Sequence, residues 1–212
     1  MARGYVEHVG FDADLIAYYN EEARARLRFA HGEMRHSLRR RFVDLLQREG
    51  RHRLVDVGAG PGLDTIELVS AGFDVVGVDL AIGNGLAMQA RGLRAVTASL
   101  YALQFPTATF EGLWTMSTFV HVPHDRFDDA MSEMTRLVVP GGLLGIGTWG
   151  GRDFEGIIEH GELRPYRFFS HASHDRWRSM LARHGAVEVF DTFAPDAREG
   201  WEYQFAVIRL AA

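Results

Sequence analysis

A chain of 212 residues with 47% hydrophobic and 24% charged side chains is long enough to bury a full core and has a globular composition. A formal net charge of −5 runs against the basic excess of a dedicated nucleic-acid binder. The absence of cysteine excludes a disulfide scaffold, a cysteine zinc site and a thiolate nucleophile.

No apolar run is long enough to cross a bilayer, and no signal-like apolar core opens the chain. A single cytoplasmic domain over residues 1–212 is expected. Residues 1–10 carry little pattern and read as loosely held. From Asp12 the chain turns helical, capped by Asp12 or Asp14, with Leu15, Ile16, Tyr18 and Tyr19 on an apolar side and helix formers from Glu21 to Arg28. A second helix, Glu33 to Glu49, aligns Leu38, Phe42, Leu45 and Leu46 on one face and stops at Gly50. The run Arg39-Arg40-Arg41 then reads as its solvated side.

The most informative stretch is LVDVGAGPGLDTIELVSAGFDVVGVDL, from Leu54 to Leu80. An apolar run enters a glycine cluster, a helix follows to about Ala71, and a second β-branched run ends at Asp79. Strand, glycine turn, helix, strand and acid form a βαβ unit of the kind that binds a nucleoside-containing cofactor. Glycines allow a tight turn and the close approach of a ligand. The helix start offers unpaired N–H groups and the positive end of its dipole. Asp79 can accept from both hydroxyls of a ribose.

A dinucleotide fingerprint would need glycine at position 63, where Leu63 stands. The pattern D-x-G-x-G-x-G (Asp56, Gly58, Gly60, Gly62) instead resembles motif I of class I S-adenosylmethionine-dependent methyltransferases of the small-molecule type. The resemblance implies an α/β, Rossmann-like, doubly wound sheet of seven strands, mostly parallel with the last antiparallel, and helices on both faces. It also implies S-adenosylmethionine as cofactor, with S-adenosylhomocysteine as product. Asp56, Gly58, Ala59, Gly60, Gly62, Asp79 and Leu80 are its binding residues on this view. Asp56 would act directly or through the loop, and the helices before motif I would form a lid. Tyr19 is then a candidate aromatic cover for the cofactor and Tyr18 a contact for the substrate, with half-buried packing the competing role for both.

After Asp79, a short helix (Asn84 to Gln89) and a third strand (Leu93 to Ala98) are expected. The following segment aligns with the family pattern through Leu103, Phe105, Phe110 and Leu113. The family's adenine-binding acid falls on Ser99, and the Asp after its aromatic falls on Glu111. The Ser99 hydroxyl or the Leu100 backbone N–H would carry the adenine edge, without the charge assistance of an acid. Strand four ends at Met116-Ser117-Thr118, beside strand one at the switch point where ligands sit, and the resemblance makes Met116 a cofactor-binding residue. A helix opened by Pro123 and Asp125 aligns Phe127, Ala130, Met131, Met134, Leu137 and Val138 on one face. Leu137 to Gly142 resembles the family turn ahead of strand five (Leu143 to Thr148).

From Trp149 to His171 the periodicity is lost. By the resemblance, residues 149–172 are an acceptor-pocket insert. They follow an N-terminal helical lid (1–50) and a cofactor core (51–148), and precede a C-terminal helix and hairpin (173–212). Ser173 would cap the last helix, His174 to His184, before strands Val187–Phe193 and Trp201–Leu210.

A sulfonium carries its own activation, so methyl transfer is an in-line displacement that the protein mainly positions. A base is needed where the acceptor arrives protonated, and His121, one turn past strand four, is the candidate; a structural bond to the nearby loop is its alternative role. Ser117, Trp149, Arg164 and Arg167 are candidate substrate contacts, with Arg152 a further possible clamp for an anionic acceptor; surface charge is the competing role for each arginine. His160, His171 and His174 with Asp175 match no ligand spacing, so no metal is expected.

Met116-Ser117-Thr118-Phe119 is not the N/D-P-P-Y/F of enzymes that methylate amino groups of bases or of glutamine. The favoured partner is therefore a small-molecule acceptor methylated on O, N or C, with no nucleic acid, no membrane, and a monomer or homodimer. A nicotinamide-dependent oxidoreductase and a catalytically silent binding module are the competing functions.

Overall fold

The alternation of apolar residues along the strands decides the layers. Leu54, Trp114, Leu143 and Val207 join one buried cluster, while their neighbours Val55, Leu113, Leu144 and Ile208 join another. Each strand therefore buries both faces, as the strands of a doubly wound sheet must. The computed structural model describes residues 3–25, 32–159, 161–194 and 201–212, with side chains from residue 12 onward. His160 and the end of the first charged stretch, Arg26 to Arg28, lie outside the described residues.

The elements run α1 (Arg3–Arg24), α2 (Glu33–Arg48), β1 (Arg53–Val57), α3 (Leu63–Ser70), β2 (Asp74–Asp79), α4 (Ile82–Gln89), β3 (Arg94–Thr97) and β4 (Phe110–Met116). Two short 3-10 turns, Phe119–His121 and His124–Arg126, lead to α5 (Phe127–Leu137), β5 (Val138–Gly150), β6 (Phe154–Ile158), β7 (Arg167–His171), α6 (His174–Ala182), β8 (Ala186–Phe193) and β9 (Glu202–Arg209). The main sheet has seven strands in the order β3-β2-β1-β4-β5-β9-β8. Its strands β3, β2, β1, β4 and β5 are parallel, and β9 runs antiparallel to both β5 and β8. The expected fold class is borne out.

Helices α5 and α6 bring Phe127, Met131, Trp177 and Leu181 to one face of the sheet. On the other face α2 brings Leu38, Phe42 and Leu46, which are essentially fully buried. Each such side chain contributes about 1.5–3 kcal/mol of transfer free energy, so α2 is anchored by its apolar stripe.

Four local expectations change. The first helix starts at Arg3, not Asp12, so Asp12 and Asp14 lie inside it and cap nothing. Val138 leaves the α5 face and pairs with Phe110 in β5. The register then jumps to Gly112 opposite Leu143, and the Pro140-Gly141-Gly142 turn is an excursion within that strand. Ser173 occupies the N-cap position of α6 but makes no side-chain cap; its N–H donates to Asp153 Oδ1 at 2.7 Å. Finally, the segment without periodicity contains an antiparallel hairpin, β6–β7, paired from Phe154 opposite His171 to Ile158 opposite Arg167.

Candidate active site

The glycine turn is shaped by what surrounds it. Gly58 has φ +72°, and a Cβ there would sit 2.0 Å from Thr118 Oγ1. That hydroxyl is itself occupied, donating to the Val57 carbonyl at 3.1 Å. Gly62, at φ +84°, takes the N-cap position of α3 with no side-chain cap, and a Cβ there would meet Met88 and Leu93 at 2.7 Å. Both positions need the left-handed backbone that glycine adopts freely.

Asp79 ties the turn to the next helix. Its Oδ2 accepts from the Gly60 N–H at 2.8 Å, and its Oδ1 accepts from the Ala81 N–H at 2.9 Å and from Asn84 Nδ2 at 3.1 Å. The carboxylate is buried and forms part of a cleft wall at the carboxyl ends of β1, β2 and β4. The cleft measures about 760 Å³ out to its open mouth. Gly58, Asp79, Leu80, Ser99, Leu100, Met116 and Tyr19, all expected at the cofactor, line it. So do Ser117 and His121. Ser99 Oγ accepts from the Tyr101 N–H at 3.3 Å, which braces the turn after β3.

The remaining motif residues act from behind. Ala59 N–H is bonded to the Val78 carbonyl, and Gly60 and Gly62 shape the turn without lining the cleft. Asp56 is buried and accepts from Thr65 Oγ1 at 2.7 Å, bracing the first turn of α3. Burial, with the nearby Asp64 charge, pushes its carboxyl up to about 7, against the opposing pull of the Thr65 bond and Arg35.

Beneath the turn lies an ion-pair cluster that the sequence did not announce. Asp64 accepts from Arg35 Nε at 2.8 Å, Arg39 Nη1 at 2.5 Å and Trp114 Nε1 at 3.0 Å. Arg39 is therefore buried, correcting its assignment to a solvated face. The signal was present: Arg35 and Arg39 precede Leu38 and Phe42 by three, which places them beside the apolar stripe. Arg35 also donates to the Tyr203 hydroxyl at 3.3 Å, which lies 3.2 Å from Ser117 Oγ. Ser117 adopts φ +61°, an uncommon conformation for a residue other than glycine, at the cleft wall.

On the opposite wall, β7 packs against α1 and against the 3-10 turn carrying His121. Tyr19 Oη lies 2.7 Å from His121 Nε2, His121 Nδ1 lies 2.8 Å from the Phe168 carbonyl, and Arg167 Nη1 donates to Tyr19 Oη at 2.9 Å. Arg167 is off the cleft lining but reaches it through Tyr19.

The other expected substrate contacts stand away. Tyr18 is buried, with the Arg167 guanidinium 3.9 Å from its ring centroid. Trp149 packs edge-on to Tyr203 and lines a separate small cavity behind β5. Arg164 is exposed and stacks 3.8 Å over Tyr166, and Arg152 stacks 4.0 Å over Trp201. His171 is buried, and desolvation, with the Arg152 charge second, lowers it to about 4. His174 is half-buried and pairs with Glu202 and Gln204 on β9. Among the described residues no three His, Asp or Glu side chains form a metal-holding group. Asp12, Leu15, Asn84, Tyr101 and Val122 also line the cleft and were not anticipated there.

Residues 54–142 match the family model described as a methyltransferase domain. Among curated proteins the chain is similar to 24-methylenesterol C-methyltransferase 2 of Oryza sativa subsp. japonica, with 29% identity over 123 residues, 54% of this chain and 33% of that protein. The chain thus spans about a third of the length of the curated relative it matches. Among solved structures it is similar to the Burkholderia thailandensis 1,6-didemethyltoxoflavin-N1-methyltransferase, determined with 1,6-didemethyltoxoflavin and S-adenosylhomocysteine bound. The TM-score is 0.71 at 19% identity, covering 100% of this chain and 91% of that one. The [4+2]-cyclase SpnF is similar at TM-score 0.62 and 16% identity, covering 81% and 80%. At these identities the structural likenesses speak for the fold. Sheet order and motif positions agree with the fold of these structures, and the segment that matches the methyltransferase-domain model, residues 54–142, holds the glycine turn and Asp79.

Proposed function

We propose that the protein transfers the methyl group of S-adenosylmethionine to a small-molecule acceptor, on oxygen or nitrogen, within the cleft between α1 and the carboxyl ends of β1, β2 and β4. The observation that carries this reading is a single cleft with a buried carboxylate, Asp79, on one wall and a hydrogen-bonded histidine, His121, on the other. S-adenosylmethionine supplies a methyl group already activated on a sulfonium. The wall fits it: Gly58 admits no side chain, Asp79 is held as an acceptor, and Ser99 and Leu100 stand at the turn past β3.

In this reading Asp79 holds the ribose, Leu80 and Leu100 flank the adenine, and the turn from Gly58 to Gly62 shapes the methionine end. Met116 and Ser117 line the reacting region, and His121 is the base that serves a protonated acceptor. Residues 1–50 close the cleft as a lid, and 149–172 supply its acceptor wall. Alignment of the reacting groups, more than any covalent step by the protein, accounts for rate. Isothermal titration with S-adenosylhomocysteine tests this directly. Saturable one-to-one binding in the micromolar range is the expected outcome, and no binding alongside a reduced nicotinamide cofactor that does bind would sink it. The fold likeness to a [4+2]-cyclase favours one rival, a domain that binds the cofactor without transferring its methyl group. That rival gains if S-adenosylhomocysteine binds but no acceptor is methylated.

A further inference from the structure

The surroundings of His121 narrow the acceptor class, given the methyl-transfer reading above. Tyr19 comes from α1, His121 from the turn after β4, and Arg167 and Phe168 from β7, and their bonds form one chain from Arg167 through the Tyr19 phenol and the His121 ring to the Phe168 carbonyl. A backbone carbonyl only accepts, so His121 Nδ1 carries the ring proton toward Phe168. Nε2 of the neutral ring is then an acceptor, and the Tyr19 hydroxyl donates to it across 2.7 Å. The Tyr19 oxygen in turn accepts from Arg167. Every donor and acceptor in this chain points the same way. Arg167 is fixed as well as charged, since its guanidinium lies over Tyr18 and within 5.0 Å of the Phe169 ring centroid.

We propose that Tyr19 is a catalytic residue that takes the acceptor's proton while passing its own to His121, and that the site serves acceptors whose attacking oxygen or nitrogen arrives protonated. Both Tyr19 and His121 line the cleft, so the relay starts at the acceptor and ends on the ring. The acceptor's O–H or N–H bond breaks and its proton joins the Tyr19 oxygen. The Tyr19 hydroxyl proton moves to His121 Nε2. The pair left on the acceptor forms the new bond to the methyl carbon, and the pair of the broken carbon–sulfur bond stays on sulfur. Tyr19 ends neutral, as it began. His121 ends as an imidazolium, its Nδ1–H still on the Phe168 carbonyl, and loses its extra proton to solvent. Nothing is oxidised or reduced. Arg167 is a positioning residue here, because it holds the phenol oxygen and acts through it.

The test compares the full chain with Tyr19→Phe, which keeps the ring and removes the hydroxyl. Probes are a series of phenols from 4-nitrophenol to 4-methoxyphenol, with lumazine as an N–H heteroaromatic. On the least acidic phenol, loss of the relay lowers kcat by about 100-fold with KM within about threefold, the range of general acid–base catalysis. On 4-nitrophenol, already ionised near neutral pH, the loss shrinks to about threefold. A loss equal across the series, or one confined to KM, overturns the proposal.

A second readout needs no acceptor. With 15N-labelled histidine, His121 shows the Nδ1–H tautomer, and Tyr19→Phe shifts its Nε2 resonance. An Nε2–H tautomer, or no shift, overturns the relay whether or not any probe is methylated. S-adenosylhomocysteine titration separates the two levels. If the wild type fails to bind it, the methyl-transfer reading itself falls; if both proteins bind it and the losses are uniform, only the role of Tyr19 falls.

Discussion

The two walls of the cleft have different origins. The glycine-loop wall is built within one βαβ unit: Gly58 to Gly62 turn, Asp79 returns to the Gly60 N–H, and Asp56 braces α3 nine residues on through Thr65. The hairpin wall joins positions 102 and 148 residues apart, through Tyr19 to His121 and Tyr19 to Arg167. Local backbone geometry fixes the first wall, and packing between distant elements fixes the second. Changes to the loop wall should therefore appear in stability and cofactor affinity, and changes to the hairpin wall in turnover.

The largest expected effect comes from the acid behind the loop. Asp56 has its folded pKa raised to about 7 by burial, above the ordinary carboxylate value near 4. A folded state that holds this proton longer than the unfolded chain gains stability at low pH. That gain is complete below about pH 4 and is lost as pH rises toward about 7. Asp56→Asn has no such titration and keeps an acceptor for Thr65. Urea unfolding from pH 4 to 8 should show the wild type losing on the order of 3 kcal/mol relative to Asp56→Asn, with no further change above pH 8. A difference that grows in the wild type's favour with pH would show the carboxylate to be stabilised as an anion.

On the cleft face of the same wall, Asp79→Ala should lower S-adenosylhomocysteine affinity by about 100-fold, since bonds to a charged acceptor are each worth roughly 1.5–3 kcal/mol. The alanine also orphans the N–H groups of Gly60 and Ala81. Asp79→Asn keeps an oxygen acceptor and separates the loss of charge from the loss of the loop's shape. Titration calorimetry on both variants reads this. An equal fall in affinity on Arg167→Met, across the cleft, would erase the contrast between the walls.

Gly58→Ala should cost about 2 kcal/mol, combining a left-handed backbone with a clash. In a Gly58→Ala background, Thr118→Ala removes the hydroxyl that the new Cβ meets and should recover part of that loss, leaving about 1 kcal/mol for the backbone. No recovery in urea unfolding would mean that the strain lies elsewhere in the turn.

The same contrast explains what could be read from the sequence. The sheet was legible because its strands alternate two apolar faces, as Leu54 and Val55 or Leu143 and Leu144 do. The loop wall was legible because three glycines and an acid at fixed spacing leave few backbone solutions. The β6–β7 hairpin was not, since successive residues of β6 are half-buried and exposed in turn, none fully buried, and Gly156 breaks its apolar alternation. Arg39 was misplaced because three arginines in a row look like a charged surface, although helical phase turns the first toward Asp64. Position after β4 points to His121, but its bonds to Tyr19 and Phe168 depend on tertiary contacts that no spacing records.

The smallest effect tests the outer edge of the hairpin. The sequence offers Arg164 as a candidate substrate contact, with surface charge as the competing role. In the structure its guanidinium is turned onto Tyr166 and the carbonyls of Gly161 and Leu163, on an exposed loop outside the cleft lining. An exposed cation–π contact is worth about 0.5–1 kcal/mol at most, and solvent screens the charge. Arg164→Ala should therefore leave S-adenosylhomocysteine affinity and the kcat of any acceptor within about twofold, while Arg167→Met, three residues on, lowers kcat through Tyr19. If the two variants proved equally damaging, the hairpin would act as one charged surface facing the acceptor. The single hydrogen bond to Tyr19 would then lose its special standing.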